Sequence, residues 1–213
     1  MELYDSVLPW VLLCVAPLLD LAVSFLFCIL DRSIDWKKHP IEDFARPQSK
    51  ARPYYLFWKG LFGVVLAMTS VQLLVSFLPV SMAFAIWLGV FLVLFCILSQ
   101  FATAFTPTKD EYARRGRKKS ADLNRSASMV GQILLLPADL IFTVLLFQDS
   151  RVLVAILSAV SCAFAIVCAV FSIRSLKAYA ANLPDPSLGL WQRVYLLLAY
   201  LPFVMLAVSL LIA

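Results

Sequence analysis

Val15-Ala16-Pro17-Leu18-Leu19-Asp20-Leu21-Ala22-Val23-Ser24-Phe25-Leu26-Phe27 is an apolar run with one carboxylate near the middle of the first hydrophobic segment. A run of this kind decides the fold class, because about 20 apolar residues in helical form cross roughly 30 Å of hydrocarbon. Five more such stretches follow, and the six spans are read near 8–30, 57–79, 82–105, 129–148, 152–173 and 193–213. Little chain is left for a soluble domain. The expected architecture is therefore an all-α integral membrane protein, a single polytopic domain over 1–213 built as a bundle of about six transmembrane helices. Composition agrees: 62% of the 213 residues are hydrophobic and 15% are charged, against about 25% charged in soluble domains.

The basic residues set the expected orientation. Arg32, Lys37, Lys38, Arg46, Lys50, Arg52 and Lys59 flank the first connection, Lys109, Arg114, Arg115, Arg117, Lys118, Lys119 and Arg125 fill the third, and Arg174, Lys177 and Arg193 belong to the fifth. Arg151 alone is assigned to the opposite side. By the positive-inside rule these three loops face the cytoplasm and both termini lie on the non-cytoplasmic side. Topology thus accounts for the net charge of +5, and nucleic acid is not an expected partner. The expected partner is the lipid bilayer, with a bacterial inner (plasma) membrane as the expected location. Met1 to Ser6 carries no basic n-region, and the first apolar run is too long for a signal peptide, so it is read as an uncleaved span.

Two connections carry helix signals of their own. Pro40 ahead of Glu42 and Asp43, with Pro47 beyond, predicts a short interfacial helix on the cytoplasmic membrane surface. Thr108-Lys109-Asp110-Glu111 has the form of a capping box and predicts a second. The dense run Arg114, Arg115, Arg117, Lys118 and Lys119 is a candidate contact for anionic lipid headgroups, at about 1 kcal/mol per residue near the surface; topology alone explains it equally well. His39, the one histidine in the chain, reads as a solvated loop residue. Arg52 to Lys59 reads as an aromatic and cationic collar at the membrane interface.

Within the spans, Gly63 and Ala67 make a smooth strip for helix approach, and Ala155, Ala159 and Ala163 predict a close-packed interior position for the fifth helix. The five cysteines, Cys14, Cys28, Cys96, Cys162 and Cys168, all fall in apolar segments without CxxC spacing. They read as packing residues, and neither a metal site nor a disulfide framework is expected.

Two acids at membrane depth are the sharpest chemical signal. Asp20 follows Pro17, and Asp139 follows Pro137 in Leu136-Pro137-Ala138-Asp139-Leu140. Intramembrane carboxyl groups are costly and mark ion or proton pathways or buried hydrogen-bonding sites. With no cation assigned to their depth, each is expected to be protonated, bound to a cation, facing a wet cavity, or satisfied by groups such as Ser24, Gln72, Gln132 and Thr143. The echo between the two proline–acid stretches suggests an inverted repeat, although the unequal loops beside them argue against it.

Phosphate loops, histidine-paired nucleophiles, zinc spacings and paired haem histidines are lacking, so no cofactor is expected and an enzyme is the least favoured class. Three readings follow. One is a transporter or ion/proton pathway using Asp20 and Asp139 with Gln72, Gln132, Ser24 and Thr143 in support. Another is a non-catalytic accessory or assembly subunit, joining a membrane protein partner or a homo-oligomer. The third is a lipid-modifying enzyme at the cytoplasmic interface.

Overall fold

The structure, a computed structural model, describes residues 7–105, 127–180 and 187–212, with 177–180 described by backbone alone. Six helices long and apolar enough to cross a membrane account for most of them. We number them α1 (Leu8–Leu30), α2 (Arg52–Phe77), α3 (Met82–Phe105), α4 (Ala127–Gln148), α5 (Val152–Ala180) and α6 (Leu188–Ile212). No strand occurs among the described residues. The capping box at Thr108-Lys109-Asp110-Glu111, the basic run Arg114 to Lys119 and the Asn182 to Pro186 link lie outside the described residues.

Each helix packs on its sequence neighbours, and α6 closes on α1, so the six form a ring in chain order with α4 and α6 also touching across it. Aromatic side chains fill the middle. Phe142 stacks on Phe203 at 4.7 Å between ring centroids and meets Phe77 edge-on at 5.7 Å, while Tyr200 lies against Phe62 and Phe95. The outward faces are the reverse of a soluble protein's: Leu18, Phe25, Phe57, Trp87, Leu153 and Phe164 are all exposed. An exterior of this kind suits contact with lipid tails rather than with water. The chain is a multi-pass membrane protein whose apolar faces contact a bilayer.

Prolines shape the helices as their missing N–H requires. Pro9 and Pro53 stand in the first turns of α1 and α2, where no bond is lost. Pro17 and Pro202 lie inside α1 and α6. Pro137 cannot bond back to Ile133, and α4 breaks into a turn at Leu134 just before its second part, Leu135–Gln148. In α3 the turn Cys96–Phe101 widens to π-helix, and glycines of α2 and α4 approach it closely. Gly63 of α2 leaves room for Phe101 and Gln100, and a Cβ on Gly131 of α4 would fall 2.8 Å from the main-chain nitrogen of Ser99.

The largest differences from the sequence reading are at three helix ends. α2 begins at Arg52 rather than near 57, α5 runs to Ala180 rather than 173, and α6 starts at Leu188 rather than 193. A stretch defined by apolarity stops at the first charges, whereas the backbone ladder continues through them. The fifth helix is also corrected. Ala159 and Ala163 are exposed, and the buried stripe is Ala155, Ser158, Cys162, Ala165, Ala169 and Ser172. Positions spaced by four drift about 40° per step around a helix of 3.6 residues per turn, so the alanine row leaves the interface that the alternating 3–4 row keeps. One face of α5 packs on α4 and α6, and the other, with Leu153, Phe164 and Val167, points outward.

The 31–51 connection is folded into the end of the bundle where α1 finishes and α6 begins. Its 3₁₀ turn Ile41–Ala45 buries Ile41, Phe44 and Ala45, and Phe44 packs against Phe27 and Tyr55. Asp31 holds both ends of the connection: its carboxylate accepts from Ser33 N and Oγ (3.2 and 2.6 Å) and from Lys50 N (3.2 Å). Burial works to raise the Asp31 carboxyl, but the hydrogen bonds from Ser33, Ser49 and Lys50 outweigh it and hold the acid below its ordinary value.

Candidate functional site

The first acid is answered by a cation from the neighbouring helix. Asp20 lies about 15 Å up α1 from Leu30, and Lys59 lies about 10 Å along α2 from Arg52, at 1.5 Å per residue. The two helices are antiparallel neighbours, and the lysine stem covers the remaining difference. Lys59 Nζ reaches Asp20 Oδ1 at 3.0 Å and Oδ2 at 3.3 Å, with both side chains buried. Trp58 Nε1 donates to Asp20 Oδ1 at 2.8 Å, and the Tyr200 hydroxyl of α6 donates to Oδ2 at 3.3 Å. The ammonium also lies 5.7 Å from the Tyr55 ring centroid and 5.8 Å from that of Phe62, within cation–π range. One carboxylate thus ties α1, α2 and α6 together.

This overturns the expectation that no cation stands at the depth of Asp20, and with it the assignment of Lys59 to an interface collar. The cause is the early start of α2, which puts Lys59 two turns inside the helix. Arg193, expected in the fifth loop, likewise lies buried in α6. Its Nε donates to Ser24 Oγ at 3.3 Å, and Nη1 donates to the main-chain oxygens of Trp36 (2.8 Å), Gly189 (3.0 Å) and His39 (3.4 Å). Ser24 also donates to Leu21 O at 2.7 Å.

The second acid has a different setting. Asp139 is fully buried on α4, and neither carboxyl oxygen accepts a hydrogen bond from any described residue. Thr143 Oγ1 bonds only the main-chain oxygen of Asp139, at 2.8 Å. Roughly ten residues on either side of the tight 149–151 turn bring Asp139 level with Ser158 and Cys162 of α5. Ser158 is completely buried and its Oγ is unbonded, and Cys162 together with Tyr195 of α6 lies within electrostatic range of the acid. Asp20 and Asp139 are not hydrogen-bonded to each other: the first faces α2 and α6, the second α5 and α6. A cavity of about 20 Å³ lies near Asp20, lined by Leu13, Pro17, Thr69, Ser70, Tyr200 and Phe203 among others. It has room for about one water, and neither acid lines it.

Gln132 belongs to a third cluster, at the end sealed by the 31–51 connection. Glu42 accepts from Ser128 Oγ (2.7 Å), Gln132 Nε2 (2.8 Å) and Gln192 Nε2 (2.9 Å), and Gln192 Oε1 in turn accepts from Ile41 N at 2.9 Å. Tyr195 donates to the main-chain oxygen of Gln132. Beside them Asp43, buried, is bonded by His39 Nδ1 at 2.9 Å and Arg46 Nη2 at 2.7 Å. His39 is part-exposed, as a loop residue, and also bonded to Asp43. Gln72 is buried on α2. Sequence reasoning missed Lys59, Trp58, Tyr200, Glu42, Gln192 and Arg193. Of these, Lys59 alone left a usable signal, a cation two turns from Pro53 facing an acid in the preceding helix.

Removing the Glu42 carboxylate should be felt across the sealed end. Glu42→Ala strands Ser128, Gln132 and Gln192 donors, and at about 1–3 kcal/mol for groups left unsatisfied we expect a loss of roughly 2 kcal/mol. Unfolding of the detergent-solubilised protein, followed by circular dichroism, checks this, with earlier proteolytic cutting in 31–51 as the accompanying sign.

No protein-family model, curated protein or solved structure matches this chain.

Proposed function

We propose that the chain is a small transport protein of a bacterial plasma membrane, with its basic loops on the cytoplasmic side and an ion or proton pathway that uses Asp20 and Asp139. The buried Asp20–Lys59 couple carries this reading. Ionic groups at such depth are expensive and are characteristic of ion and proton pathways. An arriving proton or cation competes with the Lys59 ammonium for the same carboxylate, and its binding would loosen α1 from α2 and from Tyr200 of α6. Occupancy of the site is thereby coupled to the fit of three helices. Ser24, Gln72, Gln132 and Thr143 are the supporting polar groups in this reading, and the run Arg114, Arg115, Arg117, Lys118 and Lys119 is the proposed contact for anionic lipids.

Flux through proteoliposomes tests it. Wild type should dissipate an imposed proton or monovalent-cation gradient, and Asp20→Asn should reduce the flux to the protein-free background while circular dichroism shows an intact helical fold. The complete set of partners around Asp20 and the one-water size of the cavity favour a second reading, an accessory subunit in which the couple serves assembly. For that reading the wild-type protein gives no flux under any gradient and is retained by a membrane protein partner in mild detergent.

A further inference from the structure

We infer that Asp139 is a proton-binding site, in which α4, α5 and α6 hold a carboxylic acid and exchange its proton with the medium. This deepens the transport reading, on which it rests, by naming the proton as the coupling ion and separating the roles of the two acids.

The argument is one of donor sets. Asp20 has an ammonium, an indole N–H and a phenol hydroxyl, all of which stabilise a carboxylate. Asp139 has none of these. Its two oxygens are fully buried without a donor among the described residues, Cys162 and Tyr195 lie within electrostatic range, and the Tyr195 hydroxyl is spent on Gln132. A bare carboxylate in hydrocarbon costs many kcal/mol, and an uncharged acid costs far less. Hard metal cations need about six oxygen ligands, and no group of three or more His, Cys, Asp or Glu side chains gathers at this acid among the described residues. A proton needs only the carboxyl oxygen it sits on. The break of α4 at Leu134, a turn before the acid, gives the segment a place to bend when the proton leaves.

Dicyclohexylcarbodiimide, an apolar reagent that enters bilayers, reads this state directly. The acid proton passes to one reagent nitrogen while a carboxyl oxygen bonds the central carbon. The resulting O-acylisourea rearranges by transfer of the acyl group to nitrogen, giving a stable N-acylurea that retains the whole reagent and releases nothing. With the full-length protein in liposomes and peptide mass spectrometry as readout, the adduct should form on Asp139 and not on the ion-paired Asp20. Labelling should fall about tenfold per pH unit above the acid's midpoint, the slope of one titrating group, and Asp139→Asn should abolish it without loss of helical content. Absence of adduct at Asp139 at every pH, protection by sodium at fixed pH, or equal labelling of Asp20 overturns the inference. Wild-type flux without Asp139 labelling rejects the proton site and leaves transport standing. Labelling without flux supports the proton site and rejects transport.

Discussion

A Lys59→Met protein is expected to lose about 3–5 kcal/mol of stability, the usual cost of removing one partner from a buried ion pair. Asp20 would then remain 4% exposed with only the Trp58 and Tyr200 donors to offset its charge. Adding Asp20→Asn to the same chain should recover most of the loss, because the amide keeps an acceptor for Trp58 and carries no charge to desolvate. Unfolding midpoints of wild type, both single variants and the double variant in one detergent form the double-mutant cycle that measures the coupling. A double variant no more stable than Lys59→Met would show that the lysine acts through packing alone. In the transport reading the rescued protein stays inactive, which separates folding from function.

Gly189→Ala should be nearly as damaging, at about 3 kcal/mol, the upper end of the usual range for overpacking. A Cβ at this position would fall on the main-chain oxygens of Trp36 and His39 and within 2.9 Å of Arg193 Nη1. None of these can step aside cheaply, since both carbonyls belong to the buried connection and both accept from Arg193. Leu190 N also donates to Lys37 O at 3.1 Å, so displacement of the connection breaks several bonds together. The expected sign is early proteolysis within 31–51 along with a lowered unfolding midpoint. An unchanged midpoint would mean that α6 can shift outward without loss.

The spans were legible because hydrocarbon thickness imposes a length, and six runs of that length have few alternative readings. The depth of single residues was less legible. Lys59 and Arg193 looked like interface charges because apolar runs end where charges begin, while the backbone ladder and long side chains carry the cations inward. The alanine row of α5 misled because a strict period of four drifts off the helix face that meets the neighbour. Glu42 gave no sign, since its partners Gln132 and Gln192 come from helices far along the chain and no local pattern records such a meeting. Asp139 was visible as a costly group, and the contrast between its niche and that of Asp20 needed the helix contacts.

Most of the polar bonds between helices converge on α6. Tyr200 and Arg193 reach α1, Tyr195 and Gln192 reach Gln132 of α4, and Leu198 O accepts from Ser161 of α5 at 2.7 Å. Of the six described helices it is also the last to leave the ribosome. Until it arrives, Asp20 lacks one of its donors, Ser24 and Gln132 wait with bonds unmade, and the seam beside α1 stands open to lipid. The arrival of α6 therefore supplies the Tyr200 donor to Asp20, the Arg193 donor to Ser24 and the Tyr195 and Gln192 donors to Gln132, and closes the ring of described helices against lipid.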